Sequence, residues 1–117
     1  MRTLKPNIFS VGAIDWDARL FDRLIPLPDG TSYNAYLIKA NEKTALLDTA
    51  DPAKTEELLN NLLKAGVDRI DYVIAHHAEQ DHSGSLPDVL LLYPDAKVVT
   101  NPKCKTFLTD LDRKSVV

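Results

Sequence analysis

The chain has 117 residues, 44% hydrophobic and 26% charged, with 14 Lys and Arg against 17 Asp and Glu for a net charge of −3. That is one soluble domain's worth of residues; it excludes a large multidomain enzyme, and no apolar run approaches the ~18 residues of a membrane span. The charge balance carries no basic footprint, so neither nucleic acid nor a membrane is an expected partner. Met1-Arg2-Thr3-Leu4-Lys5-Pro6 lacks the apolar stretch of a secretion signal. Lone Cys104 excludes an internal disulfide and fits a reducing, cytoplasmic setting.

Residues 8–14 (IFSVGAI) predict a first strand, broken by Asp15-Trp16-Asp17. Residues 20–27 extend a second, and Pro28-Asp29-Gly30 signals a turn. Two short apolar runs, 35–38 and 44–47, flank polar residues 39–43 and predict a hairpin.

The period then changes. Asp51 is placed to cap a helix with Pro52 at its first position, where the missing N–H costs nothing. Glu56 and Glu57 suit the helix dipole, Leu58, Leu59, Leu62 and Leu63 form its apolar stripe, and Gly66 is the expected stop. Residues 70–75 (IDYVIA) read as a strand buried on both faces. After a polar loop, Ser85 and Pro87 open a second helix with Leu86, Val89, Leu90 and Tyr93 on one face, ended by Pro94-Asp95. Residues 96–100 (AKVVT) predict another strand. Asn101-Pro102 begins a third helix with Phe107, Leu108 and Leu111 as its stripe. The alternation of strand and helix argues an α/β layer with at least one parallel strand pair.

The chemistry concentrates in the loop His76-His77-Ala78-Glu79-Gln80-Asp81-His82-Ser83-Gly84. It follows the C-terminal end of a buried strand, where open α/β sheets place their ligand sites. His77, Glu79 and Asp81 recur at every second residue, so extended backbone would turn them to one side, with His82 reaching from the other. One loop would then serve two adjacent metals, His77 and Glu79 on one, Asp81 and His82 on the other. Imidazole and carboxylate without thiolate suit iron, manganese or zinc, and the carboxylate share leans toward iron or manganese. His76 is read as strand-end packing or as a donor behind the ligands.

The stretch from Ile74 to Pro87 resembles the metal loop of the metallo-β-lactamase superfamily. Its hydrolases carry His-x-His-x-Asp-His, and Glu79 stands here where their second histidine would be. His-x-Glu-x-Asp-His followed by Ser-Gly-Ser-Leu-Pro is similar to the flavodiiron proteins, which reduce dioxygen or nitric oxide at a non-haem di-iron centre. Val11-Gly12-Ala13-Ile14-Asp15-Trp16-Asp17, Thr31-Ser32-Tyr33-Asn34-Ala35-Tyr36-Leu37-Ile38 and Ala45-Leu46-Leu47-Asp48-Thr49 look like the strands of the same family.

The resemblance implies an α/β fold for residues 1–117: the N-terminal half of a metallo-β-lactamase-like αββα sandwich, a mixed sheet with helices on one face. It implies His77 and Glu79 on one iron and Asp81 on the other, with His82 beside it, and Asp48 as a strand-end acceptor of backbone N–H groups. It implies a rubredoxin or flavin electron donor and FMN in a flavodoxin-like domain, for which this chain offers no site: Gly12, Gly30, Gly66 and Gly84 are scattered and form no phosphate loop. No histidine follows His82, so the family's downstream ligands are missing. By itself the chain is expected to be a truncated, inactive oxidoreductase domain. One sheet of a two-sheet sandwich would show an apolar face to water, which predicts a homo-oligomer or a complementing chain. Two alternatives stand beside this reading: a metal-dependent hydrolase of the same superfamily, and a non-catalytic metal-binding or self-associating module.

Overall fold

The computed structural model describes residues 1–15, 20–21, 25–26, 31–76 and 84–101. In chain order these form β1 (Arg2–Lys5), β2 (Ile8–Ser10), β3 (Ala13–Asp15), β4 (Leu20–Phe21), β5 (Ile25–Pro26), β6 (Thr31–Tyr33), β7 (Tyr36–Lys39) and β8 (Thr44–Leu47). A 3-10 turn (Pro52–Lys54), α1 (Thr55–Lys64), β9 (Tyr72–Ile74), α2 (Leu86–Leu92) and β10 (Lys97–Val99) follow.

Among the described residues the main sheet has the order β1-β2-β7-β8-β9-β10. The first four strands pair antiparallel, and β8, β9 and β10 run parallel. This is the expected mixed sheet. The predicted hairpin is β7–β8, with Tyr36 opposite Leu47 and Lys39 opposite Thr44, closed by an Ala40 N–H to Lys43 carbonyl bond of 2.9 Å.

The strand expected over residues 8–14 is two strands in two sheets. β2 pairs with β7 and β3 pairs with β6, yet the register does not slip: Ser10 faces Tyr36 before the break and Ala13 faces Tyr33 after it. One antiparallel ladder thus bends at Val11-Gly12 against Asn34-Ala35, where Val11 N–H still reaches the Ala35 carbonyl at 2.9 Å. A Cβ on Gly12 would lie 1.9 Å from the Tyr33 carbonyl oxygen, so only glycine permits this approach. Residues 20–27 also differ from expectation: β4 and β5 pair antiparallel with each other, Leu20 opposite Pro26. β1 has no counterpart among the expected strands. It is exposed throughout and lies beside β2 with a register irregularity between Thr3 and Lys5, so no apolar pattern marks it. The turn at Pro28-Asp29-Gly30 and the third helix after Asn101 lie outside the described residues.

The core is one row across the sheet. Leu37, Leu46, Val73 and Val98 are register neighbours, and all four are fully buried. Leu58 and Leu62 of α1 and Leu86, Val89 and Leu90 of α2 belong to the same buried cluster. Parallel neighbours β8, β9 and β10 are joined through α1 and α2, and the common handedness of such connections sets both helices on one face. The residues alternating with that row turn to the other face. There Tyr72 is 38% and Val99 41% exposed, so β9 is not buried on both faces as its apolar run predicted.

Helix α1 corrects one stripe residue. Its buried face is Leu58, Asn61 and Leu62; Leu63, one step of ~100° further round, is 60% exposed. Asn61 earns its buried place at the ladder break, donating Nδ2 to the Val11 carbonyl at 3.0 Å and the Gly12 carbonyl at 3.2 Å. Gly66 stops the helix as expected, with φ +72°. Its N–H reaches the Leu63 carbonyl and Val67 N–H reaches that of Leu62, a Schellman ending with Val67 and Leu62 both buried.

Candidate metal centre

Because β8, β9 and β10 are parallel, their C-terminal ends share one edge of the sheet, the edge at which layered α/β sheets bind ligands. Asp48, Ala75-His76 and Thr100 stand just past those ends. The strands are stitched there: Asp48 N–H donates to the Ile74 carbonyl at 2.9 Å, Ala75 N–H to Val99 at 3.0 Å, and Thr100 Oγ1 to the Ala75 carbonyl at 2.8 Å.

Asp48 adopts a left-handed backbone, φ +63°, a conformation that aspartate tolerates better than most residues. Its carboxylate turns to the next strand end. Oδ1 accepts the His76 N–H at 2.8 Å, and Oδ2 lies 3.1 Å from His76 Nδ1. With Nδ1 protonated, one carboxylate therefore receives both backbone and ring of His76. This is the strand-end acceptor role expected of Asp48, and it makes His76 a residue held in place behind the loop.

The far end of the loop is fastened as well. Ser85 is fully buried; its N–H donates to the Ala50 carbonyl at 2.9 Å, and its hydroxyl lies 2.8 Å from Thr55 Oγ1 and 3.3 Å from the Asp51 carbonyl. Thr55 Oγ1 in turn donates to the Pro52 carbonyl at 3.0 Å. Asp51 caps the 3-10 turn, accepting from Ala53 N–H at 3.0 Å, with Pro52 next as the sequence predicts. The Thr55–Ser85 contact was not foreseeable: the residues are 30 apart, and neither pattern nor spacing marks them as neighbours.

Candidate ligands His77, Glu79, Asp81 and His82 lie outside the described residues, as does Cys104. Among the described residues no three His, Cys, Asp or Glu side chains gather as a metal site. The donor chemistry fits iron: two imidazoles and two carboxylates, without thiolate, in the six-residue run 77–82.

The opposite end of the sheet has a different character. Asp71, just before β9, accepts Thr44 N–H through Oδ2 at 2.8 Å and pairs through Oδ1 with Arg69 Nε at 2.9 Å. The Thr44 hydrogen bond, helped by Arg69 and Lys43 and opposed by burial, holds its carboxyl below the usual range. Tyr93 donates its hydroxyl to the Val67 carbonyl at 3.0 Å, and burial, with Asp68 nearby, pushes its pKa up. These groups brace the fold away from the loop.

A family profile described as ODP family beta lactamase matches residues 31–116. Flavo-diiron protein FprA2 of Clostridium acetobutylicum is 41% identical over 116 residues, covering 97% of this chain and 28% of the relative. Nitric oxide reductase of Moorella thermoacetica is 43% identical over 96 residues, covering 80% of this chain and 24% of the relative. The rubredoxin oxygen:oxidoreductase structure from Desulfovibrio gigas superposes with a TM-score of 0.88 at 32% identity, covering 98% of this chain and 29% of that one. Metallo-beta-lactamase structures share the fold at 17% identity, which bears on the fold alone. The chain spans less than a third of the length of these three relatives. With the profile covering most of its residues, the chain belongs to the ODP beta-lactamase family, and within it to the flavodiiron proteins.

Proposed function

We propose that residues 1–117 supply the first part of the metallo-β-lactamase-like, metal-binding domain of a flavodiiron oxidoreductase that reduces dioxygen or nitric oxide. The observation that carries this reading is the pair of contacts that flank the donor-rich run 77–82: His76, just past the C-terminal end of a parallel strand, is held by Asp48, and Ser85 by Thr55. In this reading His77 and Glu79 hold one iron, and Asp81 holds the other with His82 beside it. When bound, the iron pair would supply the redox change and draw electron density from the substrate oxygen. Asp48 orients the start of the loop, and the row of buried strands behind it keeps that edge rigid.

Electrons reach the centre from a reduced flavin or rubredoxin, with FMN held outside these residues. Similarity to the nitric oxide reductase and the rubredoxin oxygen:oxidoreductase supports that choice of substrates and donor. The protein works in the cytoplasm. Among the described residues no helix is long and apolar enough to cross a membrane. Assembly with a second copy or a complementing chain belongs to the same reading and is supported by exposed Tyr72 and Val99; light scattering showing a compact monomer at micromolar concentration would count against it.

Metal analysis of protein purified without added metal tests the assignment. Iron is expected, with manganese or zinc as the other occupants of these donors, and less metal in His77→Ala and Glu79→Ala. Variants with the metal content of the parent would remove the loop from the site. Robust turnover of dioxygen or nitric oxide by the 117-residue chain with a reduced donor would contradict the view that these ligands need others to complete the centre.

A further inference from the structure

We draw no further inference here: the strongest candidate, the sheet face turned away from α1 and α2, where Tyr72 and Val99 are exposed, carries nothing beyond the assembly already proposed, because nothing in the structure shows what covers it.

Discussion

Asp48 and His76, 28 residues apart, are joined twice: His76 N–H donates to Asp48 Oδ1 at 2.8 Å, and His76 Nδ1 stands 3.1 Å from Oδ2. Asp48→Ala removes the acceptor and leaves alanine in a left-handed conformation, so a loss of about 2 kcal/mol is expected. Asp48→Asn keeps one acceptor and tolerates the backbone, so its loss should be smaller. Urea denaturation of the metal-free proteins ranks the two; equal losses would show that the hydrogen bond contributes little.

Two glycine substitutions should separate conformation from space. Gly66 has φ +72° with nothing within 4 Å of an added Cβ. Gly66→Ala should therefore cost about 1 kcal/mol, from backbone strain alone. Gly12→Ala would press a methyl group into the Tyr33 carbonyl at 1.9 Å and the Ala35 nitrogen at 2.8 Å. The bent ladder cannot absorb that, and Gly12→Ala should be much the more damaging in thermal melts.

Asn61 is the buried partner of two carbonyls at the same bend. Asn61→Ala should cost about 2–3 kcal/mol, since both acceptors lose their donor where water has little access. A denaturation midpoint close to that of the parent would mean that water replaces the amide.

Asp71 gives the fold a pH dependence of known sign. Its carboxyl titrates lower folded than unfolded, chiefly because it accepts the Thr44 N–H. Such a group stabilises the fold above its unfolded pKa of about 3.9, and that contribution disappears as pH falls through the lower folded value. The stability gap between the parent and Asp71→Asn should therefore narrow as pH is lowered from about 5 toward 2. A gap that stays constant through this window would assign Asp71 a role independent of its charge.

Where local chemistry decides conformation, the sequence was a sufficient guide. Gly66 at the end of α1 and the polar residues between β7 and β8 form as their side chains dictate, and Asp51-Pro52 caps as expected, though it opens the 3-10 turn ahead of α1 and not α1 itself, which begins at Thr55. Where tertiary packing decides, it was not. Residues 8–14 look continuous because every one can occupy a strand; the break at Gly12 exists only because the chain passes against Tyr33 and Ala35. Leu63 looks equivalent to Leu62 in a stripe of leucines, but Asn61 takes the inward position to serve the bend. Asp48 was legible as a strand-end acceptor because the loop it serves carries a specific motif. Thr55 and Ser85 were not, since a pair of hydroxyls 30 residues apart leaves no trace in composition or period.

The position of β8 has a consequence in time. On one side it pairs antiparallel with β7 across a tight turn; on the other it pairs parallel with β9, which cannot arrive until residues 48–71 have folded into the crossover. Hairpins close in about 1–10 μs, whereas parallel pairing must first meet the entropy of a long connection. The antiparallel half therefore assembles early, and the shared edge that joins Asp48 to His76 is among the last structures to form. Pulse-labelled hydrogen exchange should find β7 and β8 protected before β9 and β10; the reverse order would mean that the helices, and not the hairpin, lead. A chain emerging during synthesis would thus hold its antiparallel strands before it acquires the edge at which Asp48 and His76 meet.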